Sequence, residues 1–275
     1  MRKLRPILAV FVLSLGLSLG LIPETNAAEP AGVATLPLGP SGNVIDVIDG
    51  DTIKIDSIDA DIRLVGIQAP KLPLGRRGFQ SWPLADAARA ALADLIDGRT
   101  VTLAFGPTRR DRNGRTLAHI LRDDGLWIQG EMLRLGMARI YTFADNRVLI
   151  AELRAQERDA RNAKRGIWAH PFYAIRDAGD AEALKRETGS FQIVAGVVRD
   201  AAKVRERIYL NFGADFRTDF TVSIDRRDWR TFDRAGVDPL ALEGAKIEVR
   251  GWLVSRNGPM IEVTHPEQIE PIPSG

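Results

Sequence analysis

Apolar and polar positions alternate with a period of two over several short segments in the first half of the chain, as in half-buried β-strands. The first two segments, 44–48 and 52–55, flank Asp49-Gly50-Asp51, a turn signal that predicts a β-hairpin. A third strand is predicted over 62–67. These runs place a compact β-structure near the start of the chain.

Helical spacing follows these strands. Leu84, Ala88 and Leu92 recur at intervals of four residues between Pro83 and Gly98, which predicts an amphipathic helix that covers the sheet. Further strands are predicted over 100–105, 117–121 and 137–141, and helices before Gly136 and Gly166. The mixed pattern predicts an α+β domain over residues 44–169.

The second half of the chain shows β-type runs with little helical periodicity. They cover 191–199, 207–212, 220–224, 246–254 and 260–263, and Asn257-Gly258 provides a hairpin turn between the last two. Short strands of this kind are typical of a small all-β barrel, and the oligonucleotide-binding (OB) type is the first expectation for residues 190–271.

One stretch without strong periodicity precedes the first region, and another separates the two regions. Residues 28–43 are rich in Pro and Gly, and residues 170–189 are polar and lightly helical. Both are interpreted as linkers.

The N-terminus has the features of a secretory signal peptide. Arg2, Lys3 and Arg5 precede an apolar run over 7–22, and small residues follow near Ala27. We expect residues 1–27 to be removed, leaving an exported protein, periplasmic or secreted, without a stable membrane span. An uncleaved membrane anchor is the alternative, because the run is nearly long enough to span a bilayer. The chain has no cysteine, so its fold needs no disulfide.

Net charge does not indicate a ligand. Removing residues 1–27 takes three of the 38 basic and one of the 36 acidic residues, which leaves 35 of each. Attraction to nucleic acid therefore depends on local patches. One such patch is the loop Arg109–Arg115, with the sequence R-R-D-R-N-G-R.

If the predicted strands pair, they bring Asp49, Asp51, Arg63 and the segment Gln68–Lys71 within reach of one another. Carboxylates bind hard cations and a planar guanidinium binds phosphate through two hydrogen bonds. The combination suits a metal-bound phosphate.

Five segments, in order across about 125 residues, resemble the thermonuclease family, the staphylococcal nuclease type. They are I-D-G-D-T (48–52), R-L-V-G-I-Q-A-P (63–70), D-R-N-G-R (111–115), E-M-L-R-L-G-M-A (131–138) and A-R-N-A-K-R-G-I-W (160–168). The resemblance implies a five-stranded OB-type barrel with helices, and calcium-dependent hydrolysis of DNA and RNA phosphodiester bonds. It also implies Ca²⁺ as the cofactor and no small-molecule cofactor.

The resemblance assigns roles residue by residue. Asp51 matches the family's metal-binding aspartate and Asp49 an aspartate beside the metal. Arg63 and Arg115 match the two phosphate-clamping arginines. At Ala69, which replaces a threonine, a backbone carbonyl remains available to the metal.

Two positions depart from the family pattern. Gln68 replaces the second metal-binding aspartate. Its side-chain carbonyl oxygen can still bind calcium, but one anionic ligand is lost, so calcium affinity should fall. Lys71 replaces the glutamate that activates water, and a lysine is a cation near neutral pH and cannot accept the proton. Loss of a general base typically costs about 100- to 10,000-fold in rate. Lys71 instead adds positive charge for phosphate contact, as do Arg109, Arg110 and Arg112.

The sequence therefore indicates an exported protein that recognises nucleic-acid phosphodiesters, with single-stranded DNA or RNA as partner and hydrolysis weakened or lost. Two alternatives stay open. One is a fully active calcium-dependent nuclease that uses another carboxylate, and the other is a non-catalytic envelope scaffold or protein-interaction module. Oligomeric state is not indicated.

Overall fold

The structure is a computed structural model that describes residues 32–273. The predicted signal peptide lies outside this range. Among residues 32–273, no helix combines the length and the apolar character that crossing a membrane requires.

The first region contains seven strands and three helices. In chain order they are β1 (Leu38–Asp49), β2 (Thr52–Ile55), β3 (Ile58–Leu64), β4 (Gly66–Gln68), α1 (Ala85–Ile96), β5 (Thr100–Ala104), β6 (Thr116–Arg122), α2 (Ile128–Arg134), β7 (Arg139–Tyr141) and α3 (Ile150–Asn162). A 3₁₀ turn over Gly166–Ala169 follows α3.

Five of these strands close into a barrel in the order β1-β2-β3-β6-β5. All neighbours are antiparallel except β3 and β6, which run parallel. Fully buried Ile53, Ile62 and Ile120 fill the interior, and α1 packs Leu92 and Ile96 into the same core. The short strands β4 and β7 pair beside the barrel. The α+β fold with a closed five-stranded barrel is confirmed.

The predicted linker over 28–43 is wrong for its second half. Strand β1 begins at Leu38 and pairs with β5, and Val33 is fully buried in the core. Gly39 and Pro40 lie in a bulged part of β1, between the pairs Leu38–Ala104 and Ser41–Thr102. Because a bulge leaves backbone groups unpaired, it tolerates the Pro and Gly content that suggested a linker.

The second region contains eight strands and two helices. In chain order they are β8 (Arg176–Asp177), α4 (Ala181–Arg186), β9 (Phe191–Val197), β10 (Asp200–Val204), β11 (Arg207–Asn211), β12 (Thr221–Asp225), α5 (Arg226–Arg234), β13 (Lys246–Ser255), β14 (Pro259–Val263) and β15 (Ile269–Pro271).

These strands repeat the topology of the first barrel. The order is β10-β11-β12-β14-β13-β9, with β12 and β14 parallel. Only residues 198–199 separate β9 from β10, so the path starts and ends on one bent segment of the chain. That segment corresponds to β1, and α5 corresponds to α1 in its place before the fourth strand. The predicted β-sheet region is therefore confirmed, and its strand order matches that of the first, OB-type barrel.

The predicted linker over 170–189 is ordered and packed. Strand β8 extends the second sheet beside β9, and Leu184 of α4 is fully buried in the second core. Tyr173, in the 3₁₀ turn Pro171–Tyr173, donates a hydrogen bond of 2.6 Å to the carbonyl of Pro83 in the first region. The segment connects the two regions as a packed structure.

A buried ionic cluster joins α3 to β13. The Arg250 guanidinium lies 2.9 Å from Glu157 of α3 and 2.9 Å from Glu248 of its own strand. Arg161 of α3 also pairs with Glu248. Burial alone would raise the pKa of Glu248, but the hydrogen bond from Arg161 and the charge of Arg250 lower it. The cluster holds the two barrels in a defined relative position.

Candidate nucleic-acid site

A cleft of about 740 Å³ opens on the first barrel beside β3, β4 and β7. Its lining includes six basic side chains and two acidic ones, so its surface is positive. The basic residues are Arg63, Lys71, Arg76, Arg110, Arg112 and Arg115, and the acidic residues are Asp111 and Asp145. Gln68 also lines the cleft. The structure thus gathers most of the residues singled out in the sequence around one concave surface.

The hairpin turn between β1 and β2 buries Asp49 and Asp51 behind Lys71, which lines the cleft and binds both. The Lys71 Nζ lies 2.5 Å and 2.6 Å from the two carboxylate oxygens of Asp51, and 3.1 Å from Asp49 Oδ2. Both carboxylates are buried, and Lys71 is largely buried. An ammonium group therefore occupies the position between the two acids.

Asp51 is held by its surroundings on every side. Its Oδ2 accepts a 2.7 Å hydrogen bond from the backbone N–H of Ala69 and lies 3.2 Å from Arg63 Nη2. Burial alone would raise its pKa, but the charges of Arg63 and Lys71 and these hydrogen bonds lower it well below the usual range. Asp51 is therefore ionised.

Asp49 differs from Asp51 in its electrostatics. Burial and the negative charge of Asp51 raise the pKa of Asp49, and the charge of Lys71 offsets only part of this. Its Oδ1 accepts a hydrogen bond of 3.0 Å from the backbone N–H of Asp51. Lys71 is thus the cation that makes two adjacent buried carboxylates compatible.

Arg63 faces the interior of the turn. Its guanidinium donates to the carbonyls of Leu64 and Ile67, at 2.5 Å and 2.6 Å, and to that of Asp51 at 3.2 Å. Buried carbonyl groups and a carboxylate therefore use most of its donors. In this arrangement Arg63 braces the Asp51 turn, and little of its guanidinium faces the cleft.

Gln68 and Arg139 form a buried pair across β4 and β7. Arg139 donates two hydrogen bonds to Gln68 Oε1, of 3.1 Å and 2.8 Å. Its guanidinium also lies 4.7 Å from the ring centre of Phe191 of β9. Burial lowers the pKa of Arg139 to about 10. The carbonyl oxygen that was expected to face a metal is thus engaged by a second internal cation.

The basic loop before β6 carries the exposed arginines. Arg115 pairs with Asp111 at 2.7 Å, whereas Arg110 and Arg112 form no ion pair within residues 32–273 and lie at the surface. Arg109 is also exposed and lies with its guanidinium 4.7 Å from the ring of Phe105, outside the lining of the cleft. Arg110 and Arg112 are therefore available to a phosphate in the cleft, and Arg115 shares its guanidinium with Asp111.

The residues present do not fit a calcium ion in this arrangement. Calcium takes six to eight oxygen ligands, but Lys71 binds both carboxylates and Arg139 binds Gln68 Oε1. No group of three or more His, Asp or Glu side chains within residues 32–273 is placed to hold a metal. The carboxylates that do line the cleft are those of Asp111, which pairs with Arg115, and Asp145, which follows β7.

Sequence reasoning did not identify Arg139, Asp111 or Trp252 as parts of this site. In the sequence Arg139 is a single charge within the apolar run M-A-R-I-Y, and Asp111 is the acid in a basic loop; neither pattern by itself indicates a site. Trp252 belongs to β13 of the second barrel, yet its side chain lines the cleft. Nothing local in the sequence connects it with the first barrel.

Comparison with known proteins supports the fold. Residues 61–170 match the family described as Staphylococcal nuclease homologue. A protein of Escherichia coli O157:H7 named "Uncharacterized endonuclease" is 34% identical over 130 residues, which is 46% of this chain and 76% of that protein. Endonuclease YncB of Bacillus subtilis is 30% identical over 130 residues, 46% of this chain and 60% of that protein.

A plant relative extends the comparison. The probable staphylococcal-like nuclease CAN1 of Oryza sativa subsp. japonica is 32% identical over 108 residues, 39% of this chain and 28% of that protein. Together with the closed OB-type barrel, these matches place the chain in a nuclease-like class of protein. The chain belongs to the staphylococcal nuclease family, and a second OB-type barrel follows the matched region.

Proposed function

We propose that this protein binds the phosphodiester backbone of single-stranded DNA or RNA in the basic cleft, and that calcium-dependent hydrolysis there is weakened or lost. The observation that carries the proposal is the Lys71 ammonium between Asp49 and Asp51. It neutralises the acids that a catalytic cation would need. Family membership supports nucleic acid as the ligand.

The cleft suits phosphate through its arginines. The guanidinium groups of Arg110 and Arg112 can each donate paired hydrogen bonds to the non-bridging oxygens of a phosphodiester. Arg115, whose Nε and Nη2 face Asp111, can add a third contact through Nη1. Because these contacts require no base pairing and no metal, they provide retention of the strand without cleavage. Within residues 32–273, the carboxylates beside Lys71 are those of Asp49 and Asp51, and both are paired with its ammonium, so neither is a free general base at that position.

The test measures binding and cleavage of a fluorescent single-stranded oligonucleotide by the purified protein, in calcium and in EDTA. We expect equal affinity in both, little cleavage, and a logarithmic salt dependence with a slope of about −2 for three phosphate contacts. Arg115→Ala should reduce that slope by about 0.7. Arg158→Ala is the matched control, because Arg158 is exposed on α3 and does not line the cleft.

Other outcomes separate the alternatives. Rapid calcium-dependent cleavage that Arg115→Ala abolishes would mean that the site is a fully active nuclease with another carboxylate in use. If neither DNA nor RNA binds at low salt, phosphodiester recognition is wrong and the non-catalytic scaffold becomes the better interpretation.

Export is a separate part of the proposal. It rests on the basic residues and the apolar run of segment 1–27. N-terminal sequencing of protein recovered from the cell envelope or medium tests it. A new N-terminus close to Ala27 is expected, and full-length protein retained in the cytoplasm would contradict it.

A further inference from the structure

A second cavity, of about 270 Å³, lies where the two barrels meet. It is lined by the end of β7 and the residues after it, and by strands β13 and β14 of the second barrel. It borders the basic cleft, since the two spaces share Tyr141, Phe143 and Trp252. An apolar cavity of about 150 Å³ is enough to hold benzene. The second cavity therefore has room for a small organic ligand.

Four aromatic side chains form part of its wall, and we call them the aromatic cage. They are Tyr141, Phe143, Phe191 and Trp252. The ring plane of Tyr141 lies at 90° to that of Phe143 and at 70° to that of Phe191, and the planes of Phe191 and Trp252 lie at 76°. Rings at such steep angles surround a rounded group on several sides, whereas a nucleobase stacks on one flat face. The cage therefore suits a compact, rounded ligand.

The polar groups of the cage bind each other. The Trp252 indole N–H donates a hydrogen bond of 3.0 Å to the Tyr141 hydroxyl. Phe143 is 51% and Trp252 46% exposed, so both rings remain accessible. The cage thus offers a ligand ring faces.

The charged residues of the cavity wall carry an excess of negative charge. Three carboxylates and two guanidinium groups line it, those of Asp225, Asp228 and Glu262 and those of Arg207 and Arg227. Arg207 lies 2.9 Å from Asp225 and 3.5 Å from Glu262, so two acids share its charge. In this respect the cavity is the opposite of the basic cleft, and its net charge disfavours a phosphate.

Asp228 has the least compensation of the three acids. Its side chain is 15% exposed, and its one ion pair among residues 32–273 is a 3.5 Å contact with Nε of Arg227, whose side chain is 76% exposed. An ion pair with such an exposed partner contributes little. Burial raises the pKa of Asp228, and a cation bound in the cavity would favour its charged form.

Ring faces beside a carboxylate select an organic cation. The face of an aromatic ring attracts a cation that lies within about 6 Å of the ring centre. A quaternary ammonium group carries no N–H and needs no hydrogen-bond acceptor, which matches a wall of ring faces. Aromatic cages are the usual recognition device for such groups.

We infer that the aromatic cage binds a trimethylammonium group of the choline type, with Asp228 as its counter-charge. The site joins the two barrels, because the cage takes rings from both. The inference goes beyond the proposed function and does not rest on it, since no phosphodiester is involved.

The experiment is a calorimetric titration of the purified protein with choline at millimolar concentrations. A parallel titration uses the neutral analogue of choline in which a tert-butyl group replaces the trimethylammonium group. The two molecules have nearly the same shape and differ in charge. We expect choline to bind and the analogue to bind at least about 2-fold more weakly, because a cation–π contact is lost.

Variants of the cage give an independent measurement. Trp252→Ala removes one ring face and should weaken choline binding about 2- to 30-fold, whereas Trp252→Phe should retain most of the affinity. Phe216→Ala is the matched control, because Phe216 is a similarly exposed aromatic residue of the second region that does not line the cavity. It should bind choline as the wild type does.

Asp228→Asn tests the counter-charge and keeps the cage intact. It should weaken choline binding about 2- to 5-fold and leave binding of the neutral analogue unchanged. It also replaces Trp252→Ala as the test if that variant does not fold.

Two sources of the trimethylammonium group are compared. Binding of free choline identifies a small-molecule site, whereas binding to phosphatidylcholine vesicles without binding of free choline identifies a lipid head group as the ligand. Either result supports the inference. Equal binding of choline and its neutral analogue, or no binding to choline and to vesicles, would overturn it. Nucleic acid is absent from these titrations, so their failure leaves the proposed function untouched.

Discussion

Lys71 shows how one side chain changes the electrostatics of a buried acidic turn without dismantling it. Asp49 and Asp51 are adjacent and buried, and two uncompensated carboxylates in such a place would strongly destabilise the fold. The Lys71 ammonium compensates them permanently from within the chain. The turn keeps its shape, and the Lys71 ammonium occupies the position between the two carboxylates where an exchangeable cation would bind.

Replacing Lys71 by Met should therefore destabilise the protein. Among residues 32–273 the change leaves Arg63 as the one cation paired with these acids, and we expect a loss of about 3 kcal/mol in the free energy of unfolding. Urea denaturation measures it. Lys54→Met is the control, because its ion pair with Asp61 is half-exposed and contributes less than about 1 kcal/mol. Equal losses in the two variants would contradict the compensating role of Lys71.

Restoring the family's acidic residues at both altered positions, 68 and 71, should create a calcium site. In the double variant Gln68→Asp with Lys71→Glu, the ammonium is replaced by additional carboxylate oxygen around Asp49 and Asp51. Calcium at about 100 times its dissociation constant should stabilise this variant by about 2.7 kcal/mol, seen as a higher melting temperature. The wild-type protein, measured in parallel with and without EDTA, should show no shift. A variant that also shows none would mean that the 68–71 loop cannot adopt a metal-binding geometry.

Gly136 and Gly166 allow the end of α2 to approach the segment after α3 closely. Gly136 has φ +69°, and the carbonyl of Gly136 accepts a hydrogen bond of 2.8 Å from Ile167 N. A Cβ on Gly136 would lie 2.2 Å from the backbone oxygen of Arg165. The close approach fixes the fully buried Ile167 against the core.

Gly136→Ala should lower the free energy of unfolding far more than an alanine substitution at a glycine that has a similar positive φ but open space around it. Gly98 has φ +65°, and a Cβ added there would meet no atom within 4 Å. Gly98→Ala should cost about 1 kcal/mol from the backbone conformation, whereas Gly136→Ala should cost at least about 3 kcal/mol because backbone must move. Thermal unfolding of both variants gives the difference. A similar loss in each would show that the crossing can relax.

Direct contacts fix the second barrel against the first. Besides the cluster around Arg250, a hydrogen bond of 2.7 Å joins Thr142 of the first region to His265 of the second. Phe191 covers Arg139, which in turn binds Gln68. The contacts reach from the second core to the floor of the cleft, so we expect the barrels to unfold together.

Lowering the pH should destabilise the folded two-barrel protein before the carboxylates become protonated. Burial, with a smaller effect of Arg147, lowers the pKa of His265 to about 4, and burial lowers that of His119 to about 3. Unfolded histidines bind protons near pH 6.5, so the unfolded state gains protons first and stability falls as pH drops from about 6.5 towards 4. The slope from two such groups approaches about 2.7 kcal/mol per pH unit.

Urea unfolding at several pH values measures this slope. His265→Gln should reduce it by about half, and His170→Gln, which changes an exposed histidine, should leave it unchanged. Stability that stays constant between pH 6.5 and pH 5 would contradict the role of the buried histidines.

Local patterns were sufficient for much of the fold. Strand alternation and the D-G turn predicted β1 and β2 because half-buried strands and tight turns impose local demands on side chains. The order and spacing of the short motifs that contain Asp51, Arg63 and Arg115 indicated the family, because such motifs can be recognised along the chain without knowledge of the fold. Residues 38–43 were missed, since Pro and Gly in a bulged strand resemble a linker when read alone.

Contacts between distant segments were not accessible in this way. The sequence identified Gln68 and Lys71 as the altered positions, because those changes can be read residue by residue. It did not show that Lys71 would turn onto both carboxylates, that Arg139 would hold Gln68, or that Trp252 would reach Tyr141. Side-chain direction at such places depends on how strands far apart in sequence pack, on which charges burial leaves uncompensated, and on where the second barrel docks. Packing of the two barrels thus turned a list of site residues into a basic cleft with an internal cation and an aromatic end.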